Sequence, residues 1–180
     1  MGASLTAVPV IAIDGAASYE VARSSSGAAF GIIGSSITTS FNDPTASANT
    51  AYLYIVRAVD GAAGRSSYSN ADLATTVLFT DDPLVAQTTV IKAVHVSQLR
   101  TAVQAVRVLA VLSPPANFTD PTIDTTVMIK APHISELRST LDAARASLVL
   151  PPLIYTDPTL TAGATIIRAA HFQELRVGVK

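Results

Sequence analysis

Residues Ile91-Lys92-Ala93-Val94-His95-Val96-Ser97-Gln98-Leu99-Arg100 open a block that occurs three times in this chain. The second copy is Ile129-Lys130-Ala131-Pro132-His133-Ile134-Ser135-Glu136-Leu137-Arg138, and the third is Ile167-Arg168-Ala169-Ala170-His171-Phe172-Gln173-Glu174-Leu175-Arg176. The three histidines are the only ones in the 180 residues, and they stand 38 apart. An Asp-Pro pair precedes each block, at Asp82-Pro83, Asp120-Pro121 and Asp157-Pro158. Self-similarity at such a period marks a repeated supersecondary unit. Units of this kind build stacks and surfaces more often than one active site.

After each histidine, apolar residues fall at a 3-4-3-4 spacing. They are Val96, Leu99, Val103, Val106 and Ala110 in the first block, and Ile134, Leu137, Leu141, Ala144 and Leu148 in the second. This is one stripe of an α-helix. The third block offers Phe172, Leu175 and Val179, which predicts a shorter helix. Phe118-Thr119-Asp120-Pro121 and Tyr155-Thr156-Asp157-Pro158 place an aromatic before Asp-Pro. Asp as N-cap with Pro at N1 predicts a one-turn helix there, followed by an extended crossing into the long helix. Pro114-Pro115 and Pro151-Pro152 end the preceding helices.

The first half reads differently. Leu5–Ile13, Tyr19–Arg23, Phe30–Ser35, Thr38–Phe41, Tyr52–Val59 and Leu73–Leu78 are strand-like runs, divided by Asp14-Gly15, Ser24-Ser25-Ser26-Gly27, Asn42-Asp43-Pro44 and Asp60-Gly61 through Gly64. Short β-rich runs with such punctuation predict an antiparallel sandwich. Gly15 through Arg23 resembles the second-to-third strand passage of a bacterial fibronectin type III domain, and Tyr52 through Asp60 with Ser66–Asn70 resembles its sixth strand and following loop. The resemblance covers about residues 5–78 and implies a tyrosine corner at Tyr52. The chain departs from the pattern in having no Trp, with Val10 at the position where the family buries one. It also shows six candidate strands where the family has seven, and Pro9 suits an edge better than a paired strand. The second half resembles a His-x-x-Glu-Leu-Arg helical repeat found at the C-terminus of secreted bacterial proteins.

Together these readings predict an α+β chain. A fibronectin III/Ig-like antiparallel β-sandwich occupies 1–78, and a small α-helical domain of three ~38-residue repeats occupies 79–180. The short apolar connection Ala74–Thr80 predicts that the two halves pack as one rigid unit.

Composition excludes several functions. Net charge is −1, which gives no basic surface for nucleic acid. Cysteine is absent, which excludes disulfides, thiolate metal sites and thiol catalysis. No stretch is long and apolar enough to span a bilayer. Ala7–Ile13 has the apolarity of a short signal core but lacks its basic flank and cleavage site, so it reads as a strand. Few lysines and many Ser and Thr suit a secreted bacterial protein.

His133 with Glu136 and His171 with Glu174 have the one-turn spacing of metal ligands, but Gln98 breaks the pattern in the first block. The histidines are therefore read as structural, each near a helix start and bonding the Asp-Pro turn or a carbonyl. Arg100, Arg138 and Arg176 read as a solvated flank that pairs with Asp or carbonyls. Asp82, Asp120 and Asp157 complete the structural set. Asp120, Thr122 and Asp124 have a calcium-loop spacing without the central Gly or terminal Glu. Asn117-Phe118-Thr119 is a glycosylation sequon. Nothing forms a nucleophilic triad or a phosphate loop, so the chain is read as no enzyme and no cofactor is expected.

The function expected from this reading is a structural subunit of an extracellular bacterial filament. A sandwich lacking an edge strand accepts one from another copy. The donor is the run Ala3–Val10, with Leu5, Ala7, Val8 and Val10 at the interface, and Val177–Lys180 is the weaker candidate. The expected partner is the chain itself, with glycans second. A carbohydrate- or surface-binding accessory module of a secreted protein is the alternative, although flat exposed aromatics are few.

Overall fold

The structure is a computed structural model that describes residues 5–6 and 15–180. It is a mixed α+β chain: an antiparallel four-stranded sheet followed by three helices. The strands are β1 (Leu5–Thr6), β2 (Ala16–Ser24), β3 (Gly31–Ser36), β4 (Asn42–Asp43), β5 (Ala51–Asp60) and β6 (Asp72–Thr75). The helices are α1 (Ala93–Leu109), α2 (Ala131–Ser147) and α3 (Ala169–Gly178). The main sheet has the order β3-β2-β5-β6, and β1 pairs with β4 in a separate two-stranded sheet.

Two faces of β5 serve two cores. Successive side chains on a strand point to opposite sides. Tyr52, Tyr54, Val56 and Ala58 are buried on one side with Tyr19 and Val21 of β2. Ala51 and Leu53 are buried on the other, in the same core as Leu73, Val77 and the helices. The sheet is therefore joined to the helices through shared apolar burial. The connecting segment adds hydrogen bonds: Thr76 donates its N–H to the Thr50 carbonyl at 2.9 Å, and its hydroxyl accepts from the Thr50 N–H at 3.0 Å. Val77 is buried as the apolar connection predicts, but Leu78 stands 80% exposed.

Strand placement differs from the sequence reading at 38–43. Thr38–Phe41 is not a strand. Ser36, Thr38 and Ser40 instead bond one another through their hydroxyls across a bend. The short strand β4 falls on Asn42-Asp43, within the expected turn. Asp43 is the cause: its carboxylate is 2% exposed and accepts hydrogen bonds from Tyr54 Oη at 2.9 Å, Thr45 Oγ1 at 2.7 Å and Arg23 Nη1. A buried carboxylate must be paired, and these bonds anchor residue 43 against β2 and β5 while its backbone and that of Asn42 pair with Leu5 and Thr6 of β1. Burial raises the Asp43 carboxyl, but the bonds from Thr45, Tyr54 and Arg23 outweigh it and hold it below its usual range. Of the expected first strand Leu5–Ile13, Leu5 and Thr6 pair with Asp43 and Asn42, and the remainder lies outside the described residues.

The helical stripes fall where the spacing places them. Val96, Leu99, Val103, Val106, Ile134, Leu137, Leu141, Ala144, Phe172, Leu175 and Val179 are all fully buried. Ala110 and Leu148, at the ends of the stripes, are only partly covered. Gly178 in α3 lies so close to Leu153 and Leu141 that a Cβ there would collide with both.

No one-turn helix follows Asp-Pro. Asp81, Asp120 and Asp157 have φ of 52°, 49° and 50°, in the left-handed region. An N-cap needs extended backbone, so these aspartates cannot start a helix. The long helices instead begin at Ala93, Ala131 and Ala169, two residues before each histidine.

Helices α1 and α2 end alike. Val111 N–H bonds the Val108 carbonyl and Leu112 N–H the Arg107 carbonyl, and Val149 and Leu150 repeat this with Ala146 and Arg145. This is the Schellman arrangement, whose left-handed position usually holds Gly. Here it holds valines at φ 55° and 57°, a genuine outlier for a β-branched residue. Val111 packs against Gly27 of the β2–β3 turn, where a Cβ would meet it. Val149 is 91% exposed and has no such packing. Val149→Gly is therefore expected to stabilise the fold by about 1 kcal/mol, measured as a higher urea midpoint with an unchanged slope. Val111→Gly, which also loses packing, is expected to gain less.

Candidate functional site

Three junctions carry the same bonds, and they absorb every chemically distinctive residue of the repeated block. Each junction starts at a helix N-terminus, where the first N–H groups have no partner within the helix. The N-cap residues are Lys92, Lys130 and Arg168, cations without an acceptor. The histidine at the third helical position supplies the missing acceptor. His95 Nδ1 accepts from the Lys92 N–H at 3.1 Å, His133 Nδ1 from Lys130 at 3.2 Å, and His171 Nδ1 from Arg168 at 3.3 Å. This is the role a Glu or Gln plays in a capping box.

An Nδ1 that accepts leaves the proton on Nε2. Nε2 then donates to a carboxylate: His95 to Asp81 at 3.1 Å, His133 to Asp120 at 3.0 Å and His171 to Asp157 at 3.1 Å. All three rings are fully buried. Both nitrogens are thus engaged, and neither is free to bind a metal or take a proton from a substrate. The partner of His95 is Asp81, not Asp82 of the Asp-Pro pair. Aligning the aromatic residue shows why, because Phe79-Thr80-Asp81 matches Phe118-Thr119-Asp120 and Tyr155-Thr156-Asp157. Asp82 is an additional acid, and it meets Lys180 Nζ at 2.5 Å and Arg176 Nη1 at 3.7 Å.

The residue three beyond each histidine holds the same loop by its backbone. Thr80 N–H donates to Gln98 Oε1, Thr119 N–H to Glu136 Oε2 and Thr156 N–H to Glu174 Oε1, each at 2.9 Å. Gln98 breaks the carboxylate pattern without breaking the bond. Its amide Nε2 donates to Thr80 Oγ1 at 2.9 Å, whereas the Thr119 hydroxyl turns about and donates to Glu136. A hydroxyl can act either way. The glutamates therefore tie threonine N–H groups, a task unrelated to metal.

The arginines reach the next loop. Arg100 donates to the carbonyls of Thr119 and Asp120, Arg138 to those of Thr156 and Asp157, and Arg176 to those of Thr80 and Asp81. Each guanidinium also lies over an aromatic ring of that loop, at 4.9 Å for Phe118, 4.3 Å for Tyr155 and 4.9 Å for Phe79. The carbonyl partners are as expected, but the expected solvated flank is not what forms: Arg100, Arg138 and Arg176 are 9%, 5% and 0% exposed. The series closes on itself, since the third helix holds the first loop. The three histidines lie in separate junctions, each with its own Asp.

The calcium-like spacing also resolves into structure. Asp120 is committed to His133 and Lys130, while Asp124 accepts the N–H and hydroxyl of Thr126. Among the described residues no group of three His, Asp or Glu side chains is placed to hold a metal ion. Two more arginines were not singled out from the sequence. Arg107 donates to the Pro114 carbonyl at 2.6 Å and Arg145 to that of Pro151 at 2.9 Å, tying each helix end to the diproline after it. Their spacing of 38 residues was the available signal.

The strand-exchange residues lie elsewhere. Leu5 has its backbone paired with Asp43, and Ala7, Val8 and Val10 lie outside the described residues. Tyr52 Oη accepts the Ser47 N–H at 2.9 Å, the bond expected of a tyrosine corner. No helix among the described residues is long and apolar enough to cross a membrane. No protein-family model matches this chain, and no curated protein or solved structure shows significant similarity to it.

Two expectations follow from the junctions. His133→Gln keeps an acceptor for the Lys130 N–H but loses the bond to Asp120, and should lower stability by about 1–2 kcal/mol in urea unfolding. The second concerns pH. Burial holds the His95 imidazole below its ordinary pKa, against the opposing pull of Asp81. As pH falls through about 6.5 the unfolded chain takes up this proton and the folded chain resists it, so stability present above that value is lost below it. Asp81 is held below its usual range by Lys92 and His95, and Asp120 by His133 and Lys130, which adds a further loss under acid conditions in the same direction. The urea midpoint should therefore fall between neutral and mildly acid pH, and His95→Gln should make that fall smaller.

Proposed function

We propose that this chain is a structural, non-enzymatic subunit of an extracellular bacterial filament or surface fibre, joined copy to copy by β-strand addition. The observation that carries the reading is the edge of the main sheet. Among the described residues β3 pairs with β2 alone, and Phe30, Ile32 and Ile37 at this edge are 40%, 56% and 84% exposed. Proteins usually protect such an edge with charge, proline or a covering element. Here Gly31-Ile32-Ile33-Gly34-Ser35-Ser36 has, among the described residues, no strand partner on its outer side, and it carries no charge.

The donor in this reading is the run Ala3–Val10 of a neighbouring copy, and donating it requires Leu5 and Thr6 to leave the pairing with β4 that they make within one copy. Main-chain bonds give affinity in strand addition and alternate side chains give specificity. Donation from copy to copy is a heterologous contact, which propagates unless the geometry closes a ring.

Two features support a fibronectin III/Ig-like sandwich over 1–78. The order β3-β2-β5-β6, with β4 paired outside that sheet, follows the strand arrangement of such sandwiches, and the Tyr52–Ser47 bond sits at the matching corner. Three ~38-residue repeats over 79–180 are supported by the triplicate His, Gln or Glu, and Arg contacts. The two halves act as one unit because Ala51, Leu53 and Leu73 share a core with the helices. The low lysine content supports an extracellular site.

Deleting residues 1–8 tests the linkage. The truncated chain should stay monomeric where the intact chain forms fibres under electron microscopy. Fibres of the same form from the truncated chain would overturn the reading.

A further inference from the structure

The contact that closes the three helical blocks differs from the other two in how far it reaches along the chain. Arg100 and Arg138 hold loops 20 and 19 residues away, whereas Arg176 reaches back 95 residues to Asp81. The span it closes contains the folded first and second blocks, so this contact joins the two ends of a series whose other arginine contacts link consecutive blocks. The element that makes it is also the shortest, since α3 has 10 residues against 17 in α1 and α2. Opening this seam breaks one set of Arg–carbonyl bonds and leaves the other two sets whole.

The seam is also marked. The additional acid Asp82 faces Arg176 and Lys180 of the third block, and the Leu84 N–H bonds Gln173 Oε1 at 3.2 Å. Ser97 and Ser135 stand at the positions of Gln173 in the other blocks, and no counterpart of Asp82 stands in the other loops. Three near-identical blocks can pair in wrong orders, and a unique polar contact is a device against that. These groups direct the third helix to the first loop and not to another.

They do not require that both come from one chain. We propose that the seam between α3 and residues 79–84 is an exchangeable interface, which the third block of a second copy occupies through the same Arg176 contacts when copies are concentrated. Exchange of an identical element between protomers needs no new surface. The proposal does not rest on the strand-addition reading, and gives a homopolymer a second, independent linkage.

The chain contains no cysteine, so an introduced thiol is unique. Full-length Asp82→Cys and Lys180→Cys chains, with Asp82→Cys paired with Val149→Cys as control, are mixed at rising concentration, equilibrated in mild urea, returned to buffer and treated with a short homobifunctional maleimide. The Asp82/Lys180 pair should give several-fold more heterodimer than the control pair, with the excess rising with concentration and removed by Arg176→Ala in the Lys180→Cys chain. Equal yields at every concentration, or an excess that survives Arg176→Ala, would overturn the proposal. Where Arg176→Ala does not fold, Arg176→Lys serves, because an ammonium cannot span two carbonyls as a guanidinium does. Repeating the measurement without residues 1–8 separates the two linkages: strand addition can fail while the excess persists, and the excess can be absent while fibres form.

Discussion

The helical half depends on burying a guanidinium where it can serve irregular backbone. The loops at 79–84, 118–123 and 155–160 form neither helix nor sheet, so their carbonyls need donors from outside the loop. These bonds are part-buried, and one arginine satisfies two carbonyls at once while its flat face covers an aromatic ring. The arginine is only partly served in return: burial weakens Arg100 and Arg176 as cations, Glu136 and Asp120 oppose this at Arg100 and Asp82 and Asp81 at Arg176, and the Nε of Arg100, Arg138 and Arg176 is buried without a partner. Removing the guanidinium would strand several polar groups together, which is why this contact, and not the histidine, is the one on which loop order depends. The histidine does local work, since it completes a helix start and positions one aspartate.

Legibility in the sequence followed the range of the interaction. The helical stripes were readable because a helix face is set by residues three and four apart, and Val96, Leu99, Ile134 and Leu137 are all buried as that spacing requires. Beta structure was readable in β2 and β5, the nine- and ten-residue strands that contain the expected runs Tyr19–Arg23 and Tyr52–Val59. It failed at Thr38–Phe41 because strand placement there is decided by Asp43 meeting Arg23 and Tyr54, partners 20 and 11 residues away. The Asp-Pro turn was misread for a local reason. The left-handed φ of Asp81, Asp120 and Asp157 is imposed by a carboxylate that turns to reach His Nε2 and a Lys or Arg, and Asp tolerates that conformation better than most residues.

In the junctions, residue types were legible and directions were not. That His, Glu and Arg recur at fixed offsets is visible in the chain. That His and Glu bind the loop before their own helix, while Arg binds the loop after it, depends on how the helices pack. The choice between Asp81 and Asp82 shows the same limit. The Asp-Pro pair is the more conspicuous signal, but the aromatic-Thr-Asp register is the one that geometry respects, because the ring under the arginine and the carboxylate under the histidine belong to one loop.

Closure follows from this directionality. An arginine that always serves the following loop leaves the first loop unserved and the third arginine unused, unless the last block turns back. In an open stack both would face water or a further block. Here the third block turns back, and the sheet covers what remains: Ala51, Leu53 and Leu73 lie against the core formed by Val96, Leu99, Val103 and Val106. The sheet therefore takes the place that a further helix would occupy beside α1. A stack of identical blocks gains stability with each added neighbour, whereas three blocks closed against a sheet gain none from a fourth.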